Sequence, residues 1–243
     1  DEHGGDAGYL TRIEAFLDVL RRSRSTATAS EPRRPYREEP FDLRSRTLWI
    51  PPMHEYNSEF FAAGFRRHGC DARALPPETA ATFELGRSLT RGSECLPTSL
   101  TIGTLIATLR EQGLTTGQAL LMPTTTGPCR FGQYCQLHRQ ILDREGYADV
   151  AILSPSSLNA YQGVDEKIRR TVFKAIVLGD ILLKARSKTR PYEITKGQTD
   201  QIVAEEKARI VAAIESGADL RATIRATVER SAAIPRTTER RPC

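Results

Sequence analysis

The sequence lacks any long run of apolar residues. The longest uninterrupted run, at 210–214, is five residues long, and others, such as those at 150–153 and 175–178, have four, whereas a membrane-spanning helix needs about twenty. The first twenty residues are acidic and lack the apolar segment of a secretory leader. These absences argue against a membrane protein and a secreted one, so we expect a cytoplasmic protein without a membrane partner.

Aromatic residues are also scarce, at 7% of the chain, and the basic residues are not interleaved with them. The net charge is +5, and much of the excess lies at 21–46, with eight Arg against four acidic residues, and at 229–243, with four Arg against two Glu. A nucleic-acid-binding face would combine clustered Lys and Arg with aromatic side chains. Here the Arg residues stand among Pro, Ser and Thr, which is typical of linkers, so we expect no nucleic-acid partner.

The chain has five cysteines, an odd number that cannot all pair, so a disulfide framework is not expected. We therefore expect free thiols, and we expect Cys70 and Cys243 to be inert. The length of 243 residues fits one large domain with short additions. Because the chain begins without Met and stops at Cys243 with no obvious closing element, we expect a piece of a longer or processed polypeptide.

From residue 46 onward, the pattern predicts strands that alternate with helices, which is typical of a parallel α/β sheet with flanking helices. Predicted strands lie at 47–50, 71–75, 119–122 and 149–153, and predicted helices at 55–68, 78–89, 98–112 and 131–145. Beyond residue 165 the periodicity is helical throughout. We predict three regions: an N-terminal helix and a disordered Arg- and Pro-rich linker at 1–45, an α/β domain at 46–163, and a helical C-terminal segment at 164–243.

The loops that follow three of these strands are the expected site. They are 51–56, 123–130 and 154–161. In parallel sheets, ligands bind in the crevice beyond the carboxyl ends of the strands.

Two cysteines lie in turns that precede helices. Cys129 follows a Gly-Pro turn after the third strand, and Cys95 lies in a Gly-Ser-Glu-Cys-Leu-Pro turn. A helix N-terminus favours a thiolate, and Arg130 adds positive charge. Such a thiolate can bind a metal or act as a nucleophile. The spacing equally allows two small residues that merely pack under loops.

Other polar residues near these turns have plainer interpretations. His138 follows Cys135 in a Cys-x-x-His spacing that suggests zinc together with Cys129, but a surface histidine on an amphipathic helix is the commoner case. A Cys–His hydrolase pair on one helix lacks an orienting carboxylate. Glu94 is predicted to cap the helix that starts near Thr98.

The string Gly-Pro-Cys-Arg-Phe-Gly-Gln-Tyr at 127–134, with Glu-Cys-Leu-Pro at 94–97 before it, resembles the activase-related relatives of the 2-hydroxyacyl-CoA dehydratases. Further matches are Leu-Ser-Pro at 153–155 and Lys-Thr-Arg-Pro-Tyr-Glu at 188–193. The resemblance covers about residues 46–242. It implies a Rossmann-like fold, a cysteine-bound iron–sulfur cluster and ATP-driven, low-potential electron transfer to an acyl-CoA.

The resemblance also implies roles for particular residues. Cys95 and Cys129 become candidate cluster ligands, with Cys135 as a third. A cubane cluster needs more than two thiolates, so a partner subunit or a further segment would supply the rest. Arg130, Lys188 and Arg190 become candidate substrate-binding residues, since guanidinium and ammonium groups bind phosphate. A solvated, charged helix end is the alternative for Lys188 and Arg190.

The sequence has no phosphate-binding glycine-rich loop with a Walker-type lysine. We therefore expect an activase-type ATPase module or subunit to hydrolyse ATP and to pass electrons to this chain. We also expect the chain to form a homo- or hetero-oligomer. The alternatives are a non-catalytic scaffold or partner-docking module of the same fold without a cluster, and a metal-free α/β protein that binds a small molecule.

Overall fold

The computed structural model describes residues 6–25 and 41–237 of the chain. Most of the linker predicted to be disordered, at 26–40, lies outside the described residues, as does Cys243. Contacts divide the chain into two units, Asp1–Arg37 and Glu38–Cys243. In the first unit, the predicted N-terminal helix is confirmed as α1 (Asp6–Ser25).

The second unit is built on a sheet of four parallel strands in the order β2-β1-β3-β4. The strands are β1 (Thr47–Ile50), β2 (Ala72–Ala74), β3 (Gln118–Leu121) and β4 (Ala151–Leu153). Leu48 of β1 lies opposite Ala72 on one side and Ala119 on the other. The predicted Rossmann-like parallel sheet is thus confirmed, and because all the pairs are parallel, every strand ends at the same edge.

Helices flank the sheet and form the last third of the chain, as predicted. They are α2 (Asn57–Arg66), α3 (Ala80–Leu89), α4 (Leu96–Gln112), α5 (Tyr134–Arg144), α6 (Glu166–Thr189), α7 (Gln198–Ser216) and α8 (Leu220–Ala232). Asp165 begins α6 by accepting a hydrogen bond from the Ile168 N–H. None of the helices in the described residues is long and apolar enough to cross a membrane.

Alternate residues of the strands enter different parts of the core. Leu48 and Ile50 pack in one buried cluster with Phe65 of α2 and Ile168 of α6. Trp49, between them in β1, is also buried, and its Nε1 donates to the Gln118 side chain of β3 at 2.8 Å.

The C-terminal helices belong to the same unit as the sheet, because α2 also packs against α6 and α7. Phe60 of α2, Leu178 of α6 and Ile210 of α7 share a second buried cluster. Between α7 and α8, the buried Glu206 carboxylate accepts from the Thr227 hydroxyl at 2.6 Å and pairs with Arg230 at 2.8 Å. A buried carboxylate requires such partners.

Helices α3 and α4 approach at backbone distance. A Cβ added at Gly86 would lie 1.9 Å from the Ser99 carbonyl oxygen, and one at Gly103 would lie 2.1 Å from the Thr82 carbonyl oxygen. Since no side chain fits at either position, the two glycines set the distance between the helices. This contact fixes the first turns of α4, which Cys95 precedes.

Candidate functional site

Both predicted site cysteines stand directly before a helical turn. Cys95 precedes α4, and its carbonyl oxygen accepts the Thr98 N–H at 3.0 Å. Cys129 precedes a 3₁₀ turn, Arg130–Gln133, that leads into α5. Cys95 is half-buried and Cys129 is exposed, so both thiols can be reached by a ligand.

Arg130 fastens the two cysteine loops to each other. Its Nη1 donates to the Ser93 carbonyl oxygen at 2.5 Å. Ser93 lies two residues before Cys95, and Arg130 follows Cys129 directly. The loops are therefore joined beside their thiols, although they are 34 residues apart in sequence.

Tyr134 begins α5, directly after the 3₁₀ turn that follows Cys129. Burial raises the pKa of its phenol, a hydrogen bond with Thr98 lowers it in part, and Cys95 and Cys129 raise it. The contact that joins the two cysteine loops is the one between Arg130 and Ser93. Sequence reasoning did not single out Tyr134, and its place at the end of the 127–134 string was the one signal for it.

The ring of Tyr134 lies between Phe131, with centroids 5.2 Å apart, and His138, at 6.0 Å. His138 is fully buried, and its Nε2 lies 3.3 Å from both the Thr101 hydroxyl and the Thr98 carbonyl oxygen of α4. The prediction of a surface histidine is wrong, because α4 packs a threonine-bearing face against this side of α5. Burial lowers the pKa of His138 to about 4, so the imidazole is neutral at pH 7.

Cys135, the third predicted cluster ligand, follows Tyr134 in α5 and is 5% exposed. Successive residues of an α-helix point about 100° apart, so Cys135 and Tyr134 do not share a direction. Within residues 6–25 and 41–237, no three His, Cys, Asp or Glu side chains lie close enough together to hold a metal ion. The described residues therefore match two of the thiolates that an iron–sulfur cluster requires and not a full set.

The predicted substrate-binding residues fall in two places. Arg130 lies at the cysteine loops, as described. Arg190 pairs with Asp200 at 3.1 Å, and the same carboxylate binds Arg186, which reaches Glu55 at 2.9 Å. Because Glu55 lies in the loop after β1, the end of α6 is anchored to one of the predicted site loops. Lys188, on the last turn of α6, is exposed.

The Glu94 carboxylate binds the turn that precedes it and does not cap the helix that follows it. Its carboxylate accepts the Arg91 N–H at 3.0 Å, and α4 has no side-chain cap. Partial burial raises the pKa of Glu94, but hydrogen bonds from the backbone N–H groups of this turn hold it below the usual range. The prediction that Glu94 caps the helix is wrong, because the carboxylate folds back onto these nearer donors.

The loop that carries Cys129 is closed at its base. The Thr124 hydroxyl donates to the Gly132 carbonyl oxygen at 3.0 Å. A Cβ at Gly132 would lie 2.4 Å from the Thr125 carbonyl oxygen, so the close approach requires glycine. Thr124 therefore satisfies a backbone group of its own loop.

Comparisons with protein families, with curated proteins and with solved structures found no match to this chain.

Proposed function

We propose that this chain is a cytoplasmic iron–sulfur component of a system similar to the 2-hydroxyacyl-CoA dehydratases. Cys95 and Cys129 contribute two thiolates to a cluster, and a second copy of the chain contributes the others. The observation that carries the proposal is the Arg130 hydrogen bond to the Ser93 carbonyl oxygen, which joins the Cys95 loop to the Cys129 loop. Both cysteines also stand directly before a helical turn, where a thiolate is favoured.

Cluster assembly tests the proposal directly. The reduced 243-residue chain is reconstituted anaerobically with ferrous iron and sulfide. Bound iron and acid-labile sulfide are then measured, together with the EPR spectrum of the reduced protein. We expect the wild-type chain to retain iron and sulfide and to become dimeric in size-exclusion chromatography, because the ligand set is shared. The Cys95→Ala and Cys129→Ala variants should lose the cluster.

Cys70→Ala provides the matched control. Cys70 is buried in the apolar core and precedes β2, so it lies toward the edge opposite the site loops. This variant should assemble as much cluster as the wild type. Equally low iron content in the wild type and Cys129→Ala would overturn the cluster assignment.

The remaining parts of the proposal concern partners. An activase-type ATPase would deliver electrons to the cluster, and an acyl-CoA would bind through Arg130 together with Lys188 and Arg190. Exposed cations suit phosphate groups, and Lys188 and Arg130 are both exposed. Calorimetric titration of the wild type and of Arg130→Gln with a short-chain acyl-CoA tests this part of the proposal.

A second candidate function is a scaffold or partner-docking module with the same fold and no cluster. The observation that favours it is that the described residues place no third metal donor near Cys95 and Cys129. This function predicts a colourless, air-stable protein whose Cys129→Ala variant binds an activase-type ATPase as well as the wild type does. That result would support the scaffold function and exclude the first.

A further inference from the structure

A concave surface lies between α2, α6 and the carboxyl ends of β3 and β4, and it includes Pro123, Pro155 and Tyr161 of two predicted site loops. It is a groove of about 750 Å³. Its apolar lining consists of Phe61, Phe65, Leu121, Pro123, Pro155, Tyr161, Val164, Val172, Phe173 and Ile176. A groove of this size and composition falls within the range of small-molecule sites.

The polar side chains of the groove are mostly cationic. Arg169, Arg170 and Lys174 of α6 line it, against the single carboxylate of Glu166. Arg170 pairs with Glu166 at 2.5 Å, which neutralises both. The charge that remains is positive and is carried by Arg169 and Lys174.

Arg169 is held over the groove by an aromatic ring. Its guanidinium carbon lies 5.3 Å from the centroid of Tyr161, on the face of the ring. Its Nε is buried and has no hydrogen-bond partner among residues 41–237. The guanidinium forms no ion pair with a carboxylate of the described residues, so an anionic group in the groove would compensate its charge.

The loop that supplies Tyr161 adopts an uncommon backbone conformation. Ala160 and Tyr161 have φ angles of 51° and 57°, in the left-handed region that residues with a Cβ seldom adopt. Asn159 supports the loop, since its side chain accepts the Ser156 N–H at 2.8 Å and donates to the Ser154 carbonyl oxygen at 3.0 Å. Strain that is held in this way is typical of ligand-binding segments, and here it places an aromatic ring beside Arg169.

We infer that this groove binds an amphipathic carboxylate, a molecule with a linear apolar chain and one terminal carboxylate. The chain would lie along Phe61, Phe65 and Phe173, and the carboxylate would accept from Arg169. The apolar lining favours the chain, and the unpaired positive charge favours a single anionic end. This inference does not depend on the proposed cluster, because neither cysteine lines the groove.

Calorimetric titration of the full chain with decanoate, below the concentration at which it forms micelles, tests the inference. Methyl decanoate and decan-1-ol, which have the same chain without the charge, are titrated in parallel. We expect decanoate to bind at one site per chain and at least about tenfold more tightly than either neutral molecule, as a charge-assisted hydrogen bond provides. Equal binding of the ester and the acid would overturn the assignment of the carboxylate to Arg169.

Two pairs of variants locate the site. Arg169→Gln should weaken decanoate binding about tenfold, whereas Lys167→Gln, which removes an equal charge from an exposed position of α6 outside the groove lining, should leave it nearly unchanged. Phe173→Ala should weaken binding through lost apolar contact, whereas Val177→Ala, an exposed position one turn further along α6 that does not line the groove, should not.

The outcomes separate this inference from the cluster proposal. Cys129→Ala should bind decanoate like the wild type, whatever its iron content. Decanoate binding that is unaffected by both Arg169→Gln and Phe173→Ala would overturn the groove as the site, as would the absence of binding to the wild-type chain.

Discussion

The Arg130 guanidinium donates a hydrogen bond to the Ser93 carbonyl oxygen, and this contact ties the Cys129 loop to the Cys95 loop. We predict that Arg130→Gln loosens the two loops. Because a single exposed hydrogen bond contributes about 1 kcal/mol, anaerobic cross-linking of Cys95 to Cys129 by dibromobimane, a short reagent that alkylates two thiols with loss of two bromide ions, should slow about fivefold. Mass spectrometry of the joined peptides measures the yield.

Arg91→Gln is the control for that experiment. It removes the same charge from the turn before Ser93, where the Arg91 side chain is exposed and the backbone N–H alone binds Glu94. Cross-linking in this variant should proceed at the wild-type rate. A similar slowing in both variants would attribute the effect to charge and not to the Arg130 contact.

Burial of His138 makes the stability of the protein depend on pH. Its pKa is about 4 in the folded protein and about 6.5 in an unfolded chain, so the unfolded chain takes up the proton first as pH falls. The His138 contribution to the free energy of unfolding is therefore fully present above about pH 6.5. It is lost as pH falls toward 4, by about 3 kcal/mol in total. Urea unfolding at about pH 7 and about pH 4.5 measures this loss.

The His138→Gln variant isolates the histidine from the other titrating groups. Its free energy of unfolding should fall by less between the two pH values than that of the wild type, because glutamine has no proton to gain. Parallel losses in the two proteins would contradict a neutral, buried His138.

The contact between α3 and α4 gives a prediction about packing. Gly86→Ala places a methyl group where the Ser99 carbonyl oxygen lies, so the helices must separate, at a cost of at least about 2 kcal/mol in urea unfolding. The thiol of Cys95 should also react faster, because α4 is released. Gly113→Ala has open space and a φ of 64°, so it should cost about 1 kcal/mol and leave Cys95 unchanged.

The two cations at the end of α6 should differ in their effect on acyl-CoA binding. Asp200 already neutralises Arg190, whereas Lys188 is exposed on the preceding turn. We predict that Lys188→Gln weakens acyl-CoA binding about fivefold, as the loss of one charge-assisted contact does, and that Arg190→Gln weakens it less. Calorimetry at matched ionic strength compares them, and an equal loss in the two variants would contradict the neutralising role of Asp200.

Local sequence signals were sufficient for the sheet. Short segments ended by Pro, or by a Ser- and Pro-containing turn after the fourth, predicted all four strands, and the helices between them predicted parallel pairing. The structure shortens these elements by a few residues: the predicted strand 71–75 is Ala72–Ala74, and the predicted helix 131–145 starts as the 3₁₀ turn before α5. Such differences arise at element ends, where hydrogen bonding is incomplete.

The site depended on contacts that no local signal contains. The sequence marked Cys95 and Cys129 by their turns, but the contact that joins their loops is the long-range hydrogen bond from Arg130 to Ser93. Contact with Thr98 and Thr101 of α4 likewise buries His138, whose neighbours in sequence suggested an exposed helix face. The part of α4 that contacts His138 carries threonines and not the apolar stripe by which periodicity reveals a buried surface.

Trp49 is the one tryptophan of the chain, and it is buried in β1 with its indole N–H on Gln118 of β3. Its fluorescence therefore has a single origin, at the junction of two central strands. A change in emission wavelength reports the opening of that junction and is insensitive to loosening of distant helices. The protein thus carries an intrinsic optical probe of its sheet, against which the thiol chemistry at the site loops can be followed separately.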